Sequence, residues 1–514
     1  MESLENLKYD NKSSILSKYK KIKRMSNSKA MHDINFRITQ LKKLRAAFVK
    51  YEKEIYESNQ MDLGSSQFMT FFASYSTVLR DIEYVINNIH EWTKPRPVNT
   101  PILIGPAKSY IIAEPLGINL IMSAWNFQFL TLIMPLAQSL AAGNVILAKP
   151  SEMSAATANV CEKILKELDD GVVEVVQGGG EVCEELLKLR YDLITFTGSP
   201  QKGVLVAKAA AEFLTPTILE LGGQNPVIVD KSADVENCAY NIINGRFLLA
   251  GQVCVAPEYV LIEREVYDKI VAAMKFTVDK FFGIEPKNSK DFFRIINKFH
   301  SERLAKLISS TDGNIISGGE HDVENKYISP TIISYNSLIE LSRSELAKGE
   351  IFGPIIYVAP YDNLDDVIDY INSKEKSLAL YYFGTNKQTK NKLIKSTSSG
   401  AFITNSCVEY FLNEEIPFGG VGNSGYSAYH GITGFNNMSH LKPVMDKSQL
   451  LLKLRYPPFN DKKKNIIKGL MTLSHITQHK LLKIILWTAL ILSVFYFRNT
   501  FSSLLNINNY LNRK

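Results

Sequence analysis

Hydrophobic positions change their spacing along the chain, and this change divides it into regions. Residues 33–60 and 77–92 repeat apolar side chains every three to four positions, which predicts amphipathic helices. A proline-rich link follows at 94–101. Short apolar runs then predict buried strands at Ile118–Met122, Val145–Ala148, Val172–Gln177, Leu193–Thr197 and Pro226–Val229. The segments between them, including 131–142, 154–168 and 201–212, predict helices.

Alternation of strands and helices predicts an α/β fold in which helices cover both faces of a parallel sheet. A second series of the same kind begins after Val260. The chain has 514 residues, too many for a single compact core, so we expect two or three packed units.

Composition narrows the class of protein. Hydrophobic residues make up 45% and charged residues 22% of the chain, as in ordinary globular proteins. The five cysteines are widely spaced and form no CxxC pair, which argues against a disulfide framework and a zinc site and favours a reducing compartment. They are Cys161, Cys183, Cys238, Cys254 and Cys407.

Positive charge is concentrated at the two ends of the chain. Residues 1–50 hold thirteen Lys or Arg and four acidic residues, whereas residues 451–514 hold eleven and one. The overall net charge is +7, so the remaining body is acidic. A nucleic-acid enzyme usually carries its basic stripe on the folded domain. We therefore expect no nucleic-acid partner, and the basic ends suit an anionic membrane surface or plain solvated tails.

The C-terminal region predicts a membrane anchor. Residues 481–497 are apolar except for Lys483, Thr488 and Ser493, and Arg498 closes the run. A stretch of this length is at the short end for a transmembrane helix and suits a thin bilayer such as the endoplasmic reticulum. Lysines 462–464 precede it and predict a cytosolic N-terminal side, hence a tail anchor. The alternative is a buried C-terminal helix.

Two glycine-marked segments carry candidate chemistry. Cys254 follows Gly251-Gln252-Val253, and Glu220 precedes Leu221-Gly222-Gly223. A thiol and a carboxylate in such turns suggest a nucleophile and a base, because glycine permits tight turns and close approach of a ligand. The alternative for Cys254 alone is an inert core thiol, and a dyad with the distant His430 or His440 stays open.

Other candidates lie where predicted strands end. Asn126 follows Ile118–Met122 and could donate to an oxyanion or cap a turn. Lys149 and Glu152 follow Val145–Ala148, where open α/β sheets bind ligands, although a surface ion pair would explain them equally well. The turn 198–203 opens a predicted helix, whose N-terminus could hold a phosphate.

A glycine pattern at 420–425 does not predict a dinucleotide site. The sequence reads Gly-Val-Gly-Asn-Ser-Gly, which matches the usual fingerprint. No convincing strand precedes it, and Gly431 and Gly434 interrupt any following helix. The fingerprint needs a strand and a helix around it, so we interpret these glycines as a structural loop.

Together these segments resemble the aldehyde dehydrogenase superfamily over residues 33–458. The matching strings, in the order found in that family, are 114–117 (EPLG), 125–127 (WNF), 149–152 (KPSE), 196–199 (FTGS), 220–223 (ELGG), 251–254 (GQVC), 350–354 (EIFGP) and 417–420 (PFGG). The strings 422–425, 429–431 and 455–458 and the apolar tail resemble the class 3 and fatty aldehyde dehydrogenase branch.

The resemblance implies an architecture. It is a Rossmann-like cofactor domain and an α/β catalytic domain, joined by a small bridging β element that also serves oligomerisation. The expected divisions are a basic extension at 1–32, the cofactor domain at 33–222 with bridging residues near 100–118, the catalytic domain at 223–405, a bridging segment at 406–458, a basic linker at 459–480 and the anchor at 481–498. A homodimer is the implied assembly.

The resemblance also implies roles for individual residues. Cys254 matches the nucleophile, Glu220 the general base and Asn126 the oxyanion donor. The positions that match cofactor contacts are Lys149, Glu152, Gly198, Ser199, Gly203, Leu221, Glu350 and Phe352. Asn405 matches a position near the catalytic thiol. No metal is implied. The cofactor is NAD or NADP, and Glu152 favours NAD because its carboxylate would repel a 2′-phosphate.

The sequence departs from the family beside Asn126. Ala124 and Gln128 stand where the family usually has proline, and this predicts a less rigid loop. The implied reaction is oxidation of long-chain aliphatic aldehydes, which a membrane-anchored enzyme would meet in the lipid. The alternatives are medium-chain or aromatic aldehydes, a cofactor-independent thiol hydrolase and a non-catalytic membrane scaffold.

Overall fold

The computed structural model describes residues 7–472, 483–494 and 496–497. Its α-helices are α1 (Lys12–Ser28), α2 (Ile34–Lys50), α3 (Glu52–Leu63), α4 (Gln67–Thr70), α5 (Ser76–Trp92), α6 (Gln128–Ala142), α7 (Ala155–Leu165), α8 (Gly180–Leu187), α9 (Pro200–Glu212), α10 (Val235–Phe247), α11 (Tyr267–Phe282), α12 (Lys298–Ser309), α13 (Leu338–Arg343), α14 (Leu364–Ser373), α15 (Lys387–Ser396), α16 (Gly431–Asn437) and α17 (Asp461–Thr472). Residues 483–494 are also helical.

The strands are β1 (Arg96–Val98), β2 (Ala107–Pro115), β3 (Ile118–Met122), β4 (Val145–Lys149), β5 (Val173–Val175), β6 (Leu193–Gly198), β7 (Thr217–Leu221), β8 (Asn225–Val229), β9 (Pro257–Glu263), β10 (Asn314–Ser317), β11 (His321–Asp322), β12 (Tyr327–Ile328), β13 (Thr331–Ser334), β14 (Ile355–Tyr361), β15 (Ala379–Phe383), β16 (Ala401–Thr404), β17 (Gly425–Tyr426) and β18 (Ser439–Lys447). A π-helical turn spans Phe71–Tyr75. Short 3-10 turns lie at Ala30–His32, Ile102–Ile104, Leu248–Gly251, Arg264–Val266, Pro286–Asn288, Glu345–Lys348, Glu409–Leu412, Gly422–Ser424 and Lys453–Arg455.

Two mostly parallel sheets confirm the predicted α/β class. The first has the order β17-β7-β6-β3-β4-β5, in which only β17 is antiparallel to its neighbour. The second has the order β10-β13-β14-β9-β8-β15-β16, with β10 antiparallel. Every residue of β3 and β4 is buried, as expected for strands covered on both faces.

The predicted elements lie close to the observed ones. Strand β3 has the predicted bounds, and the other four predicted strands differ at their ends by one or two residues. The region 33–60 contains two helices rather than one, because the chain leaves helical geometry at Tyr51. Helix α6 begins three residues earlier than expected, and all fifteen of its residues are buried.

The N-terminal residues do not form a separate basic extension. Helix α1 buries Ile15 and Ile22 completely or nearly so, and Asn11 caps its first turn. Lys18 donates to the carbonyl of Val175 at the sheet edge, with 2.7 Å between the two atoms. The expectation of a distinct segment at 1–32 is therefore wrong for the described part of that segment, since its apolar face packs onto the first sheet.

The chain forms two compact units. One contains the described residues up to Trp92 together with Glu114–His440, and thus both large sheets. The other contains Thr93–Ala113 and the described residues from Leu441 onward, with most of a three-stranded sheet of order β1-β2-β18. This division differs from the expected one, in which residue 222 separates two domains, and the functional domain boundaries stay predictions.

The predicted anchor lies partly outside the described residues, which omit 481, 482, 495 and 498. Within the parts of the chain that the structure describes, no helix combines the length and apolar character that crossing a membrane requires.

Candidate active site

Cys254 lies in a tightly folded loop before β9. Leu249 and Ala250 both have a φ of 51°, which is uncommon for residues with a side chain, and Gly251 follows with a φ of 74°. A side chain at Gly251 would collide with the carbonyl of Gly353. The loop therefore needs glycine at this position, as the sequence indicated.

Buried amide side chains fix this loop. Gln252 is fully buried, donates to the carbonyls of Leu249 and Arg294 at 2.9 and 3.1 Å, and accepts from the backbone N–H of Ile296 at 3.0 Å. Asn225 donates to the carbonyl of Cys254 at 2.9 Å. Such buried bonds hold the thiol in place, since breaking any of them strands a polar group away from water.

Glu220 ends strand β7 and faces the thiol. The Cys254 thiol and the Glu220 carboxylate lie close enough for each to shift the pKa of the other. Among the described residues, the Oε1 atom of Glu220 is buried with no hydrogen-bond partner. The structure thus brings together the predicted nucleophile and the predicted base, with one carboxylate oxygen left available to a further molecule such as water.

Burial controls the protonation of this pair. It raises the pKa of Glu220 to about 7, and the hydrogen bond from the Cys254 thiol acts in the opposite direction. Burial also raises the pKa of the Cys254 thiol well above its ordinary value, and the negative charge of Glu220 raises it further. A carboxyl group with a pKa near 7 can take or give a proton at neutral pH, as a general base must.

Asn126 lies beside the same thiol loop. Its side chain is buried, and Nδ2 donates to the carbonyl of Gln252 at 2.9 Å. An amide nitrogen carries two hydrogens, so one remains for a second acceptor. Asn126 therefore has a free donor beside the thiol loop, and its role as the oxyanion donor stays a prediction.

Gln128, which stands where the family usually has proline, connects two loops by hydrogen bonds. Gln128 is buried, and its Oε1 accepts from the N–H of Ser151 at 2.9 Å and from the hydroxyl of Ser154 at 2.8 Å. These bonds tie the loop that carries Asn126 to the turn after β4. A loop that was expected to be less rigid, because it lacks proline, is held instead by side-chain hydrogen bonds.

One cavity of about 1700 Å³ contains Cys254, Glu220 and Asn126 together with most predicted cofactor contacts. Lys149 and Glu152 line it and form an ion pair with 2.6 Å between Nζ and Oε2. Gly198 and Ser199 also line it. Ser199 caps α9, and the first residues of that helix, 200–202, also line the cavity, where a helix N-terminus suits an anion such as pyrophosphate.

Glu350 and Phe352 complete the cofactor side of the cavity. The Glu350 carboxylate lies against Gly222, where any side chain would collide with it. Burial raises the pKa of Glu350 to about 8. The ring of Trp125 meets Phe352 edge-on, with 5.3 Å between centroids. These residues fit a bound dinucleotide, because polar groups for its ribose and phosphates and a flat aromatic wall share one cavity.

Two predicted cofactor contacts do not line the cavity, namely Gly203 and Leu221. A side chain on Gly203 would come within 2.8 Å of Leu221, so the two residues allow α9 to pack closely against β7. Both residues thus contribute to the packing beside the site, and their direct contact with a cofactor stays a prediction.

Asn405 lies directly after β16 and contacts the turn after β15. It is exposed, and its amide exchanges hydrogen bonds with the backbone of Gly384 at 2.9 and 3.2 Å. The cavity that contains Cys254 does not include it. This side chain holds the turn after β15, and its role near the thiol stays a prediction.

The glycine loop at 420–425 is structural, as predicted. Strand β17 pairs Gly425 with Glu220, and any side chain on Gly425 would collide with the carbonyl of Leu219. The loop therefore supports the strand that carries Glu220. No set of His, Cys, Asp or Glu residues within the described ranges could hold a metal ion.

An ion pair beneath the site was not foreseen. Arg246 and Glu258 are almost fully buried, with 2.6 Å between Nη1 and Oε2. Arg246 donates to the carbonyl of Gly353 at 2.5 Å, and Glu258 accepts from the N–H of Ile351 at 2.5 Å. The pair thus connects the loop of Glu350 and Phe352 to the element that follows Cys254. In the sequence, Arg246 and Glu258 each lie within an apolar run, and this placement of opposite charges was the signal for a buried ion pair.

Comparison with known proteins decides the family. Residues 11–444 match the sequence profile of the aldehyde dehydrogenase family. The chain belongs to the aldehyde dehydrogenase family. It is an NAD(P)-dependent aldehyde dehydrogenase, an oxidoreductase that converts aldehydes into carboxylic acids, and this sets aside the hydrolase and scaffold alternatives.

Individual relatives agree with this assignment. Aldehyde dehydrogenase family 3 member A2 of Pongo abelii is 39% identical over 434 residues, which cover 84% of this chain and 88% of the relative. The dimeric NADP-preferring aldehyde dehydrogenase of Canis lupus familiaris is 37% identical over 437 residues, covering 84% and 95%. The substrate-bound structure of Staphylococcus aureus AldH has a TM-score of 0.86 at 36% identity, covering 89% and 99%.

The buried ion pair yields a stability prediction. Replacing Arg246 by Met leaves the Glu258 charge buried without a partner, so we expect the free energy of unfolding to fall by about 3–5 kcal/mol. Arg264→Met is the control, because Arg264 and Asp362 form an exposed pair, and such pairs contribute about 0–1 kcal/mol. Urea unfolding of both variants measures the difference. Equal losses would contradict a supporting role for the buried pair.

Proposed function

We propose that the enzyme oxidises long-chain aliphatic aldehydes. The observation that carries this proposal is the apolar wall of the cavity that contains Cys254. Part of this wall comes from α6 and part from the segment around the 3-10 turn Glu409–Leu412. The wall residues are Leu130, Met134, Val408, Phe411 and Phe418. A methylene chain gains free energy in contact with such a surface, whereas a small polar aldehyde gains little.

Cys254 is the proposed nucleophile. Its sulfur bonds to the aldehyde carbon while Glu220 takes up the thiol proton. The oxygen of the resulting thiohemiacetal carries negative charge and receives hydrogen bonds from Asn126 and the backbone N–H of Cys254. When bound, the nicotinamide cofactor accepts the hydride that leaves the substrate carbon. A thioester on Cys254 remains.

Glu220 then acts a second time. After it has released the thiol proton to solvent, its carboxylate takes a proton from a water molecule, and the oxygen of that water attacks the thioester carbon. The carbon–sulfur bond breaks, the carboxylic acid departs and Cys254 recovers its proton. The unpartnered Oε1 atom supports this step, because a buried carboxylate oxygen without a donor is a ready acceptor.

NAD is the proposed preferred cofactor. Glu152 and Lys149 lie at the end of β4, where the adenine ribose of the dinucleotide is expected. A carboxylate there accepts bonds from ribose hydroxyls and repels a 2′-phosphate. Lys149 already pairs with Glu152 and is less available to an added phosphate. The name of the Canis lupus familiaris relative specifies a preference for NADP, which makes NADP the alternative cofactor.

A tail anchor and a homodimer belong to the same proposal. The apolar run at 481–497 and the preceding basic residues support attachment to the endoplasmic reticulum membrane with the catalytic residues on the cytosolic side. The word dimeric in the name of a relative that is 37% identical supports a homodimer. A membrane-bound enzyme would meet long-chain aldehydes where they dissolve.

The proposed substrate class is tested with a chain-length series. We expect NADH formation from hexanal to hexadecanal, with kcat/KM rising with chain length, and no NADH with any aldehyde after Cys254→Ala. Cys183→Ala is the control for thiol removal, because Cys183 lines the same cavity outside the thiol loop. A preference for benzaldehyde or short aldehydes would contradict the proposal.

The protonation of Glu220 predicts a pH dependence. A base acts in its deprotonated form, so turnover should rise with pH. Its midpoint should lie at about pH 7, because burial raises the pKa of Glu220 to about 7. Glu152→Gln should leave the midpoint unchanged. The measurement is kcat from pH 5.5 to about 9 with a saturating aldehyde. A midpoint near the ordinary glutamate value of about 4.3 would contradict the assignment of Glu220.

The anchor predicts a change of fractionation. Deleting residues 481–514 should move the enzyme from the alkali-extracted membrane pellet to the supernatant and leave its activity with hexanal unchanged. Deleting only 499–514 is the control and should leave the enzyme in the pellet. If the full chain already appears in the supernatant, the proposed anchor is wrong.

A further inference from the structure

The hydroxyl group of Tyr410 is a polar group that the mechanism does not yet use. Tyr410 lies in the 3-10 turn Glu409–Leu412 and is partly exposed, whereas its hydroxyl oxygen is shielded from solvent. The side chain therefore points its hydroxyl into the protein. Among the residues that the structure describes, this hydroxyl has no hydrogen-bond partner. Buried polar groups nearly always have one, so an unpaired hydroxyl needs an explanation.

Tyr410 is connected to the thiol loop through a second tyrosine. The hydroxyl of Tyr381 donates to the carbonyl of Val255, the residue after Cys254, at 2.5 Å. The same hydroxyl accepts from the backbone N–H of Val408 at 3.3 Å. Tyr381 thus joins the chain one residue after the nucleophile to the chain two residues before Tyr410.

The turn that carries Tyr410 is held in an uncommon conformation. Val408 has a φ of 68°, which is an outlier for a β-branched residue. Such a conformation persists only where surrounding contacts fix it, and it occurs most often at functional sites. The ring of Tyr410 stacks on Phe418, with 5.7 Å between centroids and 25° between planes. The hydrogen bond to Val408 and this stacking together fix the direction of the hydroxyl.

The hydroxyl of Tyr410 faces the reacting groups. Val408 and Phe411, on either side of it in the chain, line the cavity that contains Cys254 and Glu220. Burial raises the pKa of Tyr410 well above its ordinary value, and negative charge on Cys254 and on Glu220 raises it further. The hydroxyl therefore keeps its proton at neutral pH and lies close enough for both charges to act on it.

Glu220 offers a matching unpaired atom. Its Oε1 is buried without a partner within the described chain, as is the hydroxyl of Tyr410. A carboxylate oxygen accepts a hydrogen bond, and a neutral tyrosine donates one. A single water molecule can satisfy both atoms, because it donates to the carboxylate and accepts from the hydroxyl. Since both side chains face Cys254, such a water lies next to an acyl group on that residue.

We propose that the Tyr410 hydroxyl holds the water molecule that hydrolyses the thioester on Cys254. The inference rests on the proposed function and adds a third residue to its deacylation step. The hydroxyl donates to the water oxygen and keeps its own proton throughout. Glu220 takes one proton from the water while a bond forms between the water oxygen and the thioester carbon. The carbon–sulfur bond then breaks, the carboxylic acid leaves, and the proton on Glu220 passes to the sulfur.

The test follows the acyl-enzyme of Tyr410→Phe directly. The full-length enzyme is mixed rapidly with hexanal and saturating NAD, NADH is followed by absorbance, and the acyl group on Cys254 is followed by quenching and intact mass. We expect loss of the acyl group to be about 10-fold slower than in the wild type, because one hydrogen bond to the water is missing. The first release of NADH should keep its rate within about 2-fold.

Tyr370→Phe is the matched control. The Tyr370 hydroxyl is also buried without a partner among the described residues, but its ring lies on α14 and packs against Tyr259, with 5.6 Å between centroids. Both rates should therefore stay at their wild-type values.

Hydroxylamine gives a readout that a distorted site would not give. It is a strong nucleophile that attacks a thioester without a positioned water or a general base. Added hydroxylamine should therefore remove the acyl group from Tyr410→Phe and from the wild-type enzyme at rates within about 2-fold of each other.

Four results would overturn the inference. They are loss of the acyl group from Tyr410→Phe at the wild-type rate, an equally slowed first release of NADH, no rescue by hydroxylamine, and an equal effect of Tyr370→Phe. The second result would assign the hydroxyl to the thiol, and the last two would make it structural. If the wild-type enzyme carries no acyl group on Cys254 with any aldehyde, the proposed function fails first. If it carries one that Tyr410→Phe hydrolyses equally fast, the role of Tyr410 alone is refuted.

Discussion

The contact between the Cys254 thiol and the Glu220 carboxylate constrains the rest of the site. Glu220 is buried and Cys254 is partly buried, and burial raises the pKa of each. Two negative charges in such a position would repel each other strongly, so the pair favours states that keep a proton. A thiol in this setting needs no histidine, because the neighbouring carboxyl group can accept its proton. The catalytic proposal follows from this shared proton rather than from either residue alone.

An uncommon backbone conformation and buried side-chain amides hold Cys254 near Glu220. The thiol loop contains consecutive residues with positive φ, and its position depends on buried amides at Gln252 and Asn225. The strand of Glu220 is braced by Gly425, and the Arg246–Glu258 pair joins the thiol loop to the cofactor loop. Buried polar groups therefore fix the positions of Cys254 and Glu220. This matters because a nucleophile misplaced by about 1 Å reacts much more slowly.

Sequence patterns predicted the elements whose burial is continuous and missed those that depend on tertiary packing. Strand β3 was predicted within its observed bounds because a strand covered on both faces is an unbroken apolar run. Helix α1 was missed, since Ile15 and Ile22 are isolated among lysines. Asn405 matched a family position, but its amide is bound to Gly384 in the folded chain. Motifs identify residue types, whereas side-chain direction depends on neighbours far away in sequence.

The central claim is that Cys254 and Glu220 act in succession on one substrate. The most direct measurement is a single turnover by Glu220→Gln, with NADH followed by absorbance and the protein by intact mass and peptide mapping. The account predicts a slowed release of about one NADH per subunit, because the thiol loses its proton without help from Glu220, then almost no further turnover, and an added mass equal to the acyl group on the peptide that contains Cys254. A steady rate equal to that of the wild-type enzyme, or an acyl group on another residue, would contradict it.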